Sequence, residues 1–273
     1  LVAKEISNEL NIPFIFTSHS LGVFLDGYNK ERVDCEKIVM TSSNLVTTSS
    51  VFETMLIGDT YKIDENKIKK IIPGVDKKIF IPDSSVEKEN IILSIGRIQK
   101  QKGQIQTLEF LNNFKKIEKD FKCYFIGGPS GKNGNEYLNE LKQSVEEFNL
   151  NTHVEFLDNL PQTEIIDLFK KAKLMIHTSQ FETFGLVAIE ANAMGVPVLT
   201  TNNGSLMEII ENNKNGYLSD SLLDGNVNNF VNNLFNDDAK YEEISSSCIE
   251  KSKKYDWVKT TNELESLYKQ LVR

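Results

Sequence analysis

With 273 residues, a net charge of −8 and a sequence pI of about 5.1, the chain has room for one large or two ordinary domains. Its acidity argues against nucleic acid as a partner, though an anionic small ligand needs only local positive charge. Hydrophobic residues at 40% and charged residues at 26% are those of a soluble globular protein, and no apolar run is long enough to span a bilayer. Cys35, Cys123 and Cys248 are widely spaced with no C-x-x-C pattern. They read as buried or incidental thiols of a reducing compartment, and a cytoplasmic location is expected. No signal peptide is visible. The chain opens on Leu1 in what reads as a helix already under way, so a fragment or processed product is expected.

In chain order, Val2, Ile6 and Leu10 fall at helical spacing. Ile12 to Thr17 reads as a buried strand running into the loop Ser18-His19-Ser20-Leu21-Gly22. A helix over Arg32 to Met40 and a β-branched strand, Leu45 to Thr48, follow. Ser49 or Ser50 is placed to cap a helix over Val51 to Leu56, and the strand Ile68 to Ile72 stops at Pro73-Gly74. The polar, proline-punctuated stretch around Pro82 to Asn90 reads as a linker.

Beyond it the alternation becomes regular. Strands are predicted at Ile91–Ile95, Cys123–Ile126, Val154–Leu157, Leu174–His177 and Val198–Thr200. Helices are predicted from Gln104 to Glu118, Glu136 to Phe148, Glu164 to Ala172, Gly185 to Met194 and Ser205 to Ile210. Helices over Gly225–Phe235, Tyr241–Lys253 and Trp257–Leu271 close the chain. Strand–helix alternation with short links predicts a parallel sheet covered on both faces.

The stretch from Phe181 to Ala191 places Glu182 in a loop at the carboxyl end of a strand and Glu190 inside the next helix. Ligands of open parallel sheets bind beyond the carboxyl ends of the strands, and a helix start there offers free N–H groups to a phosphate. Gly185 lets backbone approach a ligand closely. Alone, this stretch fits a capped core helix equally well. Gly96-Arg97 and Lys102-Gly103 follow an earlier strand; two cations over one loop suit a diphosphate, or are ordinary surface charges. Gly127-Gly128-Pro129-Ser130-Gly131-Lys132-Asn133 fails as a phosphate-binding Walker loop, since Ile126 stands for the first glycine and Asn133 for Ser/Thr. His19 sits in a loop just after a strand. His153 and His177 lack a carboxylate or cysteine at ligand spacing, so no metal site is expected.

Taken together, Gly96-Arg97 with Lys102-Gly103, the glycine-rich turn, and FETFGLVAIEANAMGVPVL resemble the retaining GT-B glycosyltransferases of family 4, glycosyl transferases group 1. That large family includes sucrose-phosphate synthases and the first-step mycothiol glycosyltransferases. Thr17 to Gly22 and Ile72-Pro73-Gly74-Val75-Asp76 with Phe80-Ile81-Pro82 extend the resemblance over nearly the whole chain. Thr183 stands where Pro or Ser is frequent.

The resemblance implies a nucleotide-diphospho-sugar donor, of UDP-glucose type, held between two Rossmann-like domains and transferred to a hydroxyl acceptor without a metal or other cofactor. It implies that Arg97 and Lys102 neutralise the diphosphate, with N–H groups near Phe184, Gly185 and Leu186 adding to them, and that Thr183 is among the donor-binding residues. Gly96 and Gly128 would line the donor. Glu182 would accept from the sugar hydroxyls, Glu190 from the ribose, and His19 would lie near the reacting carbon. The implied division is an amino-terminal, acceptor-side remnant over 1–82, a linker over 83–90, a complete donor domain over 91–255 and a terminal helix over 256–273 crossing back, with exposed apolar area as a consequence. The alternative is a non-catalytic nucleotide-sugar-binding module or inactive fragment. Neither nucleic acid nor a transmembrane segment is expected, and peripheral membrane contact is left open.

Overall fold

The computed structural model describes residues 1–24 and 30–272, so the last residue of the 256–273 segment lies outside the described residues. They form two compact units, one of residues 1–74 with 255–273 and the other of residues 75–254.

In the first unit a three-stranded parallel sheet has the order β1 (Ile15–Thr17), β2 (Leu45–Thr48), β3 (Ile68–Lys70). Pro13, which has no N–H, precedes the short β1. Helices α1 (Val2–Leu10), α2 (Lys30–Ser42) and α3 (Val51–Leu56) accompany it. Ser50 is the cap of α3, its Oγ accepting from the Glu53 N–H at 3.0 Å. The terminal helix α11 (Trp257–Leu271) belongs to this unit, where Thr260 Oγ1 donates to the Ile72 carbonyl at 2.7 Å. Apolar area is exposed in this unit: α1 buries no residue and α11 buries Thr260 alone, leaving Val2, Leu10, Trp257 and Val258 exposed.

The second unit is a six-stranded, wholly parallel sheet of order β6 (Val154–Leu157), β5 (Lys122–Ile126), β4 (Glu89–Ile95), β7 (Ala172–His177), β8 (Val198–Thr201), β9 (Gly216–Ser219). Every residue of β7 is buried, as a central parallel strand requires. The connecting helices are α4 (Gln104–Phe114), α5 (Gly134–Glu147), α6 (Gln162–Lys171), α7 (Leu186–Ala193) and α8 (Leu206–Ile209), closed by α9 (Gly225–Asn236) and α10 (Asp238–Ser252). Phe114 anchors one core, fully buried with ring centroids 5.4 to 5.6 Å from Phe110, Phe121 and Phe235.

Two expectations need correction. The helix predicted to reach Glu118 ends at Phe114. Residues 115–117 form turns, and the Glu118 carboxylate accepts from the Lys119 and Asp120 N–H groups. Strand β9 was not anticipated, because Gly216 to Ser219 has little apolar pattern of its own. It becomes a strand by pairing with β8, so closely that a Cβ on Gly216 would lie 2.1 Å from the Val198 carbonyl oxygen.

The strand order reverses between β4 and β7, whose chains leave in opposite directions across the sheet. Such a reversal marks the general ligand position of open α/β sheets, at the strands' carboxyl ends.

Candidate donor site

Two loops meet at this switch point, one after β4 and one after β7. Two hydrogen bonds join them: the Gln180 N–H donates to the Gln101 carbonyl at 2.8 Å, and the Thr178 hydroxyl Oγ1 to the Lys102 carbonyl at 3.0 Å. Gly103 is the hinge of that junction. Its φ is +66°, and a Cβ would lie 2.3 Å from the Thr178 carbonyl oxygen. Gly103→Ala is expected to cost on the order of 3 kcal/mol from the left-handed backbone and the displaced loop. Urea unfolding measures it; a midpoint equal to wild type would contradict this packing.

The junction brings Lys102 and Glu182 together across 80 residues of sequence. Lys102 Nζ lies 2.9 Å from Glu182 Oε2, with side-chain exposures of 19% and 16%. A second donor, His177 Nε2 at the end of β7, lies 3.1 Å from the same oxygen. Sequence reasoning passed over His177 because no carboxylate stood at metal-ligand spacing. The loop after β7 turns back and sets Glu182, five residues on, over it. The Glu182 main chain is seated from the other side: Ser205 N–H and Oγ each donate to its carbonyl at 3.1 Å.

Burial alone would raise the Glu182 pKa. The hydrogen bond and electrostatic pull of His177, then those of Lys102, outweigh it and hold the carboxyl down at about 2. A folded pKa below the ordinary 4.5 stabilises the fold above that value, and the stabilisation is lost as pH falls from 4.5 through about 2. Its full size is about 3 kcal/mol. Glu182→Gln is therefore expected to be less stable than wild type near pH 6, with the gap closing toward pH 2 in urea titrations. A gap independent of pH would contradict the linkage.

Beyond Glu182 the chain turns into α7 at Gly185, whose φ is +94°. No side chain caps this helix. The N–H groups of Leu186 and Val187 have no acceptor among the described residues, so the positive end of α7 is open to an anion. Thr183 and Phe184 lie in the turn, Phe184 buried. Glu190 sits half-buried on α7, its pKa raised by burial, and its carboxylate has no partner among the described residues.

The other predicted residues are placed as follows. Arg97 is exposed, and no carboxylate pairs with its guanidinium among the described residues. Its main-chain oxygen accepts from Gln104 Nε2 at 2.8 Å, tying it to the start of α4. At Gly96 a Cβ would meet nothing within 4 Å, so the bare backbone faces open space. Gly128 is different: a Cβ there would lie 2.7 Å from both Asn159 Nδ2 and Asp158 Oδ1, and its N–H is bonded to Asn159 Oδ1. Its smallness answers a packing demand. His19 is exposed at the carboxyl end of β1 and belongs to the first unit. Cys123 and Cys248 are buried free thiols whose pKa values burial pushes up, and Cys35 is half-buried and also free. No helix among the described residues is long and apolar enough to cross a membrane.

The parallel-sheet α/β fold is of the GT-B glycosyltransferase type, and solved structures share it. Anabaena Alr3699/HepE in complex with UDP and glucose matches at TM-score 0.87 and 20% identity, covering 99% of this chain and 75% of that one. Sucrose-phosphate synthase from Thermosynechococcus elongatus matches at TM-score 0.83 and 23% identity, covering 99% and 72%. Among curated sequences, D-inositol 3-phosphate glycosyltransferase of Corynebacterium urealyticum is 26% identical over 99% of this chain and 69% of its own length. The chain spans 65 to 69% of the length of the first four such relatives. The family profile described as glycosyl transferases group 1 matches residues 76–255. The chain belongs to that family.

Proposed function

We propose that this chain carries the donor site of a retaining glycosyltransferase that moves a hexose from a UDP-sugar, of UDP-glucose type, to an acceptor hydroxyl. The observation that carries the reading is the Lys102–Glu182 pair at the switch point, beside the uncapped start of α7. An ammonium and open N–H groups suit a diphosphate. A carboxylate beside them suits sugar hydroxyls, for which it is an acceptor with full charge. The donor class is supported by the UDP and glucose in the Anabaena complex.

In this reading residues 91–255 hold the donor and 1–82 contribute to the acceptor side. Arg97 and Lys102 stabilise the diphosphate as it leaves, the charge-neutralising role that a metal ion fills in other enzymes. Glu182 orients the sugar and Glu190 the ribose. The acceptor attacks on the face from which the diphosphate departs, which preserves the anomeric configuration. No residue of this set serves as a covalent nucleophile. No resident cofactor is involved, and the reaction is assigned to the cytoplasm.

A coupled assay for UDP release from UDP-glucose tests the reading, with and without a divalent-metal chelator. UDP release with retention of configuration in the product, unaffected by chelator, is expected. UDP binding with no release from any UDP-hexose would replace the enzyme by a nucleotide-sugar-binding module.

A further inference from the structure

Both anchors of the Glu182 carboxylate fall on one oxygen. Lys102 Nζ at 2.9 Å and His177 Nε2 at 3.1 Å each reach Oε2. Among the described residues Oε1 has no partner and is not a buried unsatisfied atom, so it is the oxygen within reach of a ligand.

The two anchors differ in kind. Lys102 is a flexible side chain on a loop, and its ammonium is the group assigned above to the donor's diphosphate. A ligand phosphate competes for it. His177 is 5% exposed at the end of the fully buried β7, in register with Thr200 of β8. Its main chain is held in the sheet and its ring is buried.

We infer that His177 is a positioning residue: its Nε2–H keeps Glu182 oriented toward the donor sugar when the Lys102 ammonium turns to the diphosphate. A carboxylate only accepts, so the bond requires the proton on Nε2. The inference rests on the donor-site reading and adds a specific division of labour to it. Lys102 serves the phosphates and His177 serves the group that reads the sugar.

Calorimetric titration of the chain with UDP and with UDP-glucose separates these roles, using Glu182→Ala, His177→Leu and His177→Gln. Glutamine can place an N–H near the position of Nε2; leucine fills the space with none. His177→Leu is expected to leave UDP affinity within about twofold of wild type. It should weaken UDP-glucose relative to UDP by about tenfold, in the same direction as Glu182→Ala. His177→Gln is expected to recover most of that loss. If the leucine variant fails to fold, His177→Asn, whose amide stops short of the Nε2 position, takes its place.

The inference is overturned if Glu182→Ala changes the UDP-glucose to UDP ratio and His177→Leu does not. It is equally overturned if His177→Leu weakens both ligands alike, the mark of a residue that merely builds the loop, or if glutamine does no better than leucine. A ratio unmoved by Glu182→Ala, or no UDP binding at all, would instead remove the donor-site reading itself.

Discussion

Glu182→Ala is expected to lower turnover of the sugar donor by about a hundredfold while leaving UDP affinity within a few-fold of wild type. The carboxylate is held by two donors on Oε2, which leaves Oε1 for sugar hydroxyls. A hydrogen bond to a charged group contributes about 1.5–3 kcal/mol, and each 1.4 kcal/mol is a factor of ten. Steady-state UDP release and UDP titration together check it. Unchanged turnover would remove Glu182 from the site.

Lys102→Ala is expected to act on both halves of the donor. Loss of the ammonium should weaken UDP by about ten- to a hundredfold, the scale of one partly buried charge-assisted contact to phosphate. The same change removes one of the two partners that hold the Glu182 carboxyl down at about 2. Its pKa should therefore rise, leaving a mostly buried carboxylate with His177 alone. Turnover should fall further than in Glu182→Ala, because departure of the diphosphate also loses its counter-charge. Nucleotide titration and a carboxyl-selective NMR titration of Glu182 check the two parts separately. UDP affinity equal to wild type would contradict the diphosphate role.

The six-stranded sheet was legible in the sequence wherever burial dictates the residues. The run Leu174 to His177 is continuous because β7 is covered on both faces, and the alternation around it required a parallel sheet. β9 was illegible because its strand character comes from the neighbour it pairs with, and Gly216 in isolation argues against a strand. The end of α4 was missed because residues 115–117 turn through main-chain bonds to Leu111, Asn113 and Phe114, which leave no apolar signal.

The site was legible only in part, and for a physical reason. Local spacing places Glu182 in a strand-end loop, but the partner 80 residues away depends on strand order, which local pattern does not encode. The family resemblance supplied Lys102 and Glu182 as site residues; the switch point accounts for why they meet. His177 escaped both routes. It reads as one more buried position of a central strand, and its contact with Glu182 arises from the return of a loop over that strand's end. Gly128 illustrates the converse, a glycine in a ligand-like turn whose bareness is taken up by Asp158 and Asn159.

A crystal structure of the chain with UDP tests the central claim most directly. The account predicts the diphosphate over the start of α7, with phosphate oxygens about 3 Å from Lys102 Nζ and from the N–H groups of Leu186 and Val187, and Glu182 still bonded to His177. UDP seated away from the β4–β7 switch point, or a diphosphate that leaves Lys102 paired to Glu182 alone, would contradict it.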